Sequence, residues 1–359
     1  REEIDLSDEQ LRVLERCYEG FVRSGASLEG AERKRFGEIK KRLAELGTTF
    51  SQNVLADEAS FMLELHDEAD LVGLPESLRQ AMASAADERE TKAPYIVTLS
   101  RSLIEPFLTF SDRRDLRKAA FEAWTLRGQN GNASDNREII SETLALRQEL
   151  AKLLGFMTYA DFKLENTMAK TPSEVQLLLE TVWPHAVAKA ALECDRLAEA
   201  AQAAGVNFDI EPWDWRYWAE KVRKRDYDLD ENEIKQYLSL DNVISAAFAV
   251  ANRLFGLSFN ERFDIDLYHN DVRAFDVVNR QGHIVGLFLG DYFARPSKRS
   301  GAWMTGFRSQ ERLRGETTPI ILNVMNFAKP PPEQPALLSF DDARTLFHEF
   351  GHGLHGLLS

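Results

Sequence analysis

The most informative stretch of this sequence is Ser339-Phe-Asp-Asp-Ala-Arg-Thr-Leu-Phe-His-Glu-Phe-Gly-His-Gly-Leu-His-Gly-Leu-Leu-Ser359. It contains the pattern H-E-x-x-H at His348, Glu349 and His352. On a helix, residues four apart lie about 40° apart around the axis and one turn apart along it. The two imidazoles therefore share one face and can bind a single Zn²⁺. Glu349 flanks that face, where it can act as the catalytic general base and take a proton from an attacking water.

The residues around the motif predict the helix that it needs. Ser339 or Asp341 can cap a start near residue 340, and the acidic first turn suits the positive end of the helix dipole. One apolar stripe is predicted to face inward, formed by Ala343, Leu346, Phe347, Phe350, Leu354, Leu357 and Leu358. Gly351, Gly353 and Gly356 are each costly in a helix, so we expect something to pack very close to the backbone of this helix.

The third histidine of the stretch, His355, is not predicted to bind the same ion. It lies seven residues after His348, or about 10 Å along the helix axis, whereas zinc ligands lie about 2 Å from the metal. The metzincin pattern requires Gly at 355 and His at 358, and these positions hold His and Leu. We therefore interpret His355 as a packing residue or a residue beside the site.

Three segments resemble the thimet oligopeptidase family of zinc metallopeptidases. They are the zinc-motif run 347–355, the run Pro319-Ile-Ile-Leu-Asn-Val-Met-Asn-Phe327, and the run Pro335-Ala-Leu-Leu-Ser-Phe-Asp-Asp342. The resemblance extends over nearly the whole chain and is strongest after residue 268. It implies a two-lobed fold, mainly α with a small β-sheet, that holds one Zn²⁺ and cleaves short peptides in a channel between the lobes.

The resemblance favours release of C-terminal dipeptides. An endo-oligopeptidase of the same family is the nearest alternative. A more distant alternative is a helical scaffold or interaction protein, because a pattern with three fixed positions can also arise by chance.

The composition of the chain limits the classes of molecule that the protein is expected to bind. The chain has 359 residues, 44% hydrophobic and 28% charged, with a net charge of −14. An acidic protein has no electrostatic reason to bind nucleic acid or an anionic membrane. Cys17 and Cys194 are too few for a disulfide framework, and no apolar run has transmembrane length. We expect a cytoplasmic monomer.

Three consecutive regions are predicted: an N-terminal helical region at 1–112, a helical part of the catalytic domain at 113–255, and a β-hairpin with the zinc helix at 256–359. In the first, an apolar stripe from Leu11 to Val22 is predicted to pack, and a turn region is predicted around Pro106. In the last, the period changes to two, which predicts a hairpin at 272–278 and 283–289 and a third strand at 320–325. An exposed edge of this sheet could bind an extended peptide.

The ends of the chain suggest an internal fragment of a longer protein. It begins with Arg1 and stops seven residues after His352. The resemblance implies that the third zinc ligand is a downstream Glu, absent from this chain. Upstream acids such as Glu316 and Asp291 would approach the site only by accident of folding. With two of three ligands, we expect weak or absent zinc binding and negligible activity from these residues alone.

Overall fold

The computed structural model describes residues 6–229, 231–295, 297–312, 315–331 and 334–359. These residues form two compact units that alternate along the chain, one built from residues 1–57 and 127–193 and the other from 58–126 and 194–359. The predicted fold class, mainly α with a small sheet, is confirmed. The division into three consecutive regions stays a prediction.

The first unit is helical. Its small core contains Leu28, Phe36, Ile39 and Leu150. The helices with residues in this unit are α1 (Asp8–Arg23), α2 (Gly30–Ser60), α6 (Arg137–Leu153), α7 (Tyr159–Leu164) and α8 (Pro172–Ala203), of which α2 and α8 continue into the second unit.

Helix α1 is amphipathic but does not bury its apolar stripe. A capping box at Ser7 and Gln10 fixes its start, yet none of its residues is buried, and Leu11, Leu14, Tyr18 and Phe21 are exposed. The prediction that this stripe packs is therefore wrong for the described residues. The periodicity identified the helix correctly, but periodicity alone does not supply a partner for an apolar face.

The first part of the second unit is a helical cluster with a short two-stranded ribbon, β1 (Leu63–Leu65) and β2 (Tyr95–Val97). Its helices are α3 (Glu76–Glu88), α4 (Arg101–Phe110), α5 (Arg114–Thr125) and α9 (Trp215–Tyr227), and a 3₁₀ turn spans Glu68–Leu71. The short helix α10 (Glu231–Lys235) follows α9 but lies against the last helix of the chain. The predicted turn around Pro106 is wrong, since α4 runs through this residue. Burial of four apolar side chains on one face of α4 outweighs the hydrogen bond that the proline removes, namely Leu103, Ile104, Phe107 and Leu108.

A buried ion pair joins α5 to the start of α9. Asp214 is fully buried and accepts hydrogen bonds from the guanidinium groups of Arg114 and Arg117. Arg117, also buried, donates to the carbonyl of Ser111 as well. Burial opposes ionisation of Asp214, but these hydrogen bonds outweigh it, and the pKa of Asp214 is lowered.

The rest of the second unit is one mixed sheet covered by two helices. Helix α11 (Leu240–Phe255) ends at Gly256, which adopts the left-handed conformation at φ +71°. The strands are β3 (Ser258–Arg262), β4 (Val272–Val278), β5 (Ile284–Phe293), β6 (Trp303–Arg308) and β7 (Ile320–Phe327), followed by α12 (Phe340–Leu358). The strand order is β3-β4-β5-β7-β6, and only the β5–β7 pair is parallel.

The sheet confirms the predicted hairpin and third strand and adds two strands that were not predicted. The hairpin strands β4 and β5 are central, so the exposed edge expected for a bound peptide is not formed by the hairpin. The edges belong to β3 and β6, the strands that were missed. No described helix is long and apolar enough to cross a membrane.

Candidate metal centre

Helix α12 carries the H-E-x-x-H motif and lies against the sheet. A capping box fixes its first turn, because the Ser339 hydroxyl accepts from the Asp342 amide and the Asp342 carboxylate accepts from the Ser339 amide. Leu346, Phe350 and Leu357 are buried, and Leu354 is half-buried. Phe347 was also predicted to face inward, but 39% of its surface is exposed.

Two of the three helix glycines have the close neighbours that were predicted. A Cβ on Gly353 would lie 2.7 Å from Oδ1 of Asn323, and a Cβ on Gly356 would lie 2.8 Å from Cδ1 of Ile321. Both neighbours belong to β7. Nothing lies within 4 Å of a Cβ on Gly351, so the close approach is confined to the other two glycines. The helix therefore approaches the sheet most closely along the Gly353–Gly356 turn.

The two motif histidines meet on the exposed side of α12. Nε2 of His348 lies 3.2 Å from Nε2 of His352, and the two rings stand nearly perpendicular. Two nitrogens that each lie 2.0–2.1 Å from a tetrahedral zinc are about 3.3 Å apart. The observed spacing thus fits a shared Zn²⁺ ligated by both Nε2 atoms. His355 is exposed one further turn along the helix.

Glu349 lies between the histidine face and the sheet. Only 8% of its surface is exposed. At 3.6 residues per turn it lies about 20° from Gly356 and about 40° from Gly353 around the axis, so it shares the side of the helix that faces β7 and its neighbour β6. Within the described part of the chain, no hydrogen bond or ion pair engages the Glu349 carboxylate.

No third ligand joins the two histidines among residues 6–229, 231–295, 297–312, 315–331 and 334–359. Asp291, one of the upstream acids considered from the sequence, forms hydrogen bonds with other side chains instead. It is 1% exposed and its carboxylate accepts from Arg295, Lys298 and the Tyr268 hydroxyl. Burial opposes ionisation of the Asp291 carboxylate. The interactions with Arg295, Tyr268 and Lys298 outweigh that effect, so the pKa of Asp291 is lowered. Glu316 is exposed.

The edge strand β6 runs beside the motif. It pairs with β7 on one side only, and Thr305, Gly306, Phe307 and Arg308 are exposed. Its Met304 approaches the helix, since Cε lies 3.4 Å from where a Cβ on Gly356 would be. Sequence reasoning missed β6 because the run 303–308 lacks a clear apolar alternation and contains a glycine. Its aromatic and Thr residues were the only local strand signal.

A helix bearing H-E-x-x-H is typical of zinc metallopeptidases, and here it packs on a mixed sheet whose edge strand β6 approaches the turn at Gly356. Within that class, the chain belongs to peptidase family M3. The sequence pattern of that family matches residues 107–359. The resemblance inferred from the three segments is therefore confirmed.

Individual relatives agree with the family assignment. The chain is 38% identical to the dipeptidyl carboxypeptidase of Escherichia coli, covering 100% of this chain and 53% of that protein. It is 34% identical to oligopeptidase A of Escherichia coli, covering 99% of this chain and 53% of that protein. A thimet-like oligopeptidase of Dictyostelium discoideum is 29% identical over similar shares. The chain spans about half the length of these curated relatives.

Proposed function

We propose that this chain carries the catalytic helix of a zinc-dependent peptidase that cleaves short peptides in the cytoplasm. The observation that carries the proposal is the 3.2 Å approach of the His348 and His352 Nε2 atoms, with an unengaged Glu349 beside them. His348 and His352 would hold the metal, and a downstream Glu would complete the ligand set. When bound there, Zn²⁺ would polarise a peptide carbonyl and lower the pKa of a bound water to about 7.

Glu349 is the proposed general base. Its position next to the histidine face lets it take the proton of the attacking water and pass it to the leaving amine. The absence of an ion pair in the described residues leaves both carboxylate oxygens available as acceptors. The side chain therefore needs no rearrangement of a salt bridge before proton transfer.

The β6 edge is the proposed peptide-binding strand. An extended peptide can add to an open edge through main-chain hydrogen bonds, which hold it without reading its side chains. Residues 305–308 are exposed, and β6 packs beside the turn of α12 that contains Gly356. A peptide on this edge would run past the histidine pair.

For the bond that is cleaved, we propose release of C-terminal dipeptides. The similarity to dipeptidyl carboxypeptidase supports this choice. An endo-oligopeptidase is the second candidate, because oligopeptidase A relatives match the same residues at 34–35% identity.

One experiment separates these candidates from each other and from a non-enzymatic protein. The intact protein is incubated with a peptide bearing a free C-terminus and with its C-terminally amidated form, and the products are identified by mass spectrometry. Dipeptide release from the free form alone supports the first candidate, and internal cleavage of both forms supports the second. Activity that a chelator removes and Zn²⁺ restores supports a zinc peptidase. No cleavage by zinc-loaded protein contradicts both.

A further inference from the structure

Asn323 is a polar residue buried in the apolar layer beneath α12. It is 1% exposed, and in the sheet it lies opposite Gly290 of β5 and Met304 of β6. Gly353 covers it from above. Among the described residues, neither Oδ1 nor Nδ2 of Asn323 has a hydrogen-bond partner. A buried amide without partners is strongly disfavoured, so this side chain requires a partner that the described residues do not supply.

A second polar group lies next to Asn323 on the same face of the sheet. Tyr292 is 3% exposed, and its hydroxyl lies over Gly290, because a Cβ on Gly290 would overlap that oxygen. Gly290 is the residue paired with Asn323. The hydroxyl and the amide therefore occupy adjacent positions, although no hydrogen bond joins them directly. Burial raises the pKa of the Tyr292 phenol, so the group stays neutral and can both donate and accept.

Both residues line a cavity of about 10 Å³ between α11, α12, β5 and β7. The other lining side chains are apolar. A cavity of about 10–15 Å³ is enough for one water molecule, which is held when it finds two or more polar partners. A wholly apolar cavity of this kind would stay dry, whereas this one has the side chains of Asn323 and Tyr292 in its lining.

We propose that one water molecule occupies this cavity and bridges the Tyr292 hydroxyl to the Asn323 amide beneath the zinc-motif helix. The water satisfies the buried amide and fills the space between β5, β7 and α12. It also fixes the Asn323 side chain against Gly353, the residue that follows His352. The water thus supports the packing of β7 against the turn of α12 that follows His352. This role does not depend on the reaction that the protein catalyses.

The direct test is electron density in a crystal structure of the protein at a resolution that shows ordered water. We expect a peak within hydrogen-bonding distance of both the Tyr292 hydroxyl and the Asn323 side chain. A well-ordered cavity without such a peak would overturn the proposal, whether or not any variant folds.

Unfolding of variants gives an independent test because a dry cavity and a hydrated one predict opposite signs. If the amide is hydrated, Asn323→Leu and Tyr292→Phe each lower the denaturant midpoint, and the double variant is destabilised by less than the sum because both lose the same water. If the cavity is dry, Asn323→Leu raises the midpoint by removing an unsatisfied amide, and the two changes add. Met325→Leu, which changes an apolar residue lining the same cavity, is the matched control.

Discussion

Gly353 lies directly over Asn323, so closely that a Cβ on the glycine would be 2.7 Å from Oδ1 of the asparagine. Gly353→Ala should therefore push α12 from the sheet or displace Asn323, and we expect destabilisation of about 1–3 kcal/mol. Equilibrium unfolding in urea measures this change.

Gly351 provides the matched control on the same helix. Nothing lies within 4 Å of its Cβ position, so Gly351→Ala should stabilise the protein by about 0.5–1 kcal/mol through helix propensity. Equal effects of the two substitutions would show that close packing does not explain Gly353.

Glu349 and His352 should separate proton transfer from metal binding in the intact protein. Glu349→Gln keeps both imidazoles, so we expect zinc content near that of the wild type and loss of most turnover, about 10²–10⁴-fold. His352→Ala removes one ligand and should lose the metal as well. Metal analysis and peptide hydrolysis are measured on the same samples.

The contrary outcome for these two variants is a Glu349→Gln variant with near-normal kcat, which would show that another group acts as the base.

For the 359 residues alone we expect weak zinc binding, because the described residues offer two histidines and no third ligand at the site. Tight stoichiometric zinc in this chain would contradict that expectation.

Phe350 and Phe347 should differ sharply although they are three residues apart on one helix. Phe350 is 4% exposed and contacts the rings of Phe248, Phe259 and Phe288. Phe350→Ala should cost about 3–5 kcal/mol. Phe347→Ala should cost at least about 2 kcal/mol less, because the side chain is already partly in water. Similar unfolding free energies for the two variants would contradict the observed orientation of α12.

Asp291 should contribute stability that depends on pH. Its pKa is lowered in the folded state from 3.8, so its contribution is fully present above about pH 4 and is lost as the pH falls through the lower folded pKa. Asp291→Asn leaves the cations Arg295 and Lys298 without their buried partner, and we expect a loss of about 3–5 kcal/mol at pH 7.

The measurement for Asp291 is urea unfolding at a series of pH values from 7 down to 2. The wild type should lose stability below pH 4 more steeply than Asp291→Asn does. Glu193→Gln, which breaks an exposed pair with Lys189 on α8, is the control and should leave the unfolding midpoint nearly unchanged. Parallel pH curves for wild type and Asp291→Asn would contradict the role of this carboxylate.

The features that could be predicted from the sequence are those encoded by neighbouring residues. The cap at Ser339, the motif helix and the β4–β5 hairpin each depend on local periodicity and on turn residues, and each was found. The burial of Phe347 was predicted wrongly because this residue lies at the edge of the apolar stripe. A helical pattern does not show how far the sheet extends beneath the helix. Helix α1 has a clear stripe that nothing in the described unit covers.

The features that could not be predicted depend on contacts between distant residues. Strand β6 is defined by its pairing with β7, and Asn323 becomes unusual only when Gly353 covers it. Neither relationship leaves a trace in a short window of sequence. The positions of the two histidines followed from their spacing, but a third ligand must come from another element, so no local pattern could assign it.

The pairing of β6 has a consequence for how the chain folds during synthesis. Strand β6 leaves the ribosome before β7, yet β7 is its only partner in the sheet. Residues 303–308 therefore remain unpaired until synthesis has reached about residue 327. The parallel β5–β7 contact forms at the same stage. Parallel, non-local pairing is slow and exposes strand edges. The segment proposed to receive a peptide thus joins the sheet only when β7 does, and until then its unpaired backbone is the point at which chaperones or other nascent chains would compete for it.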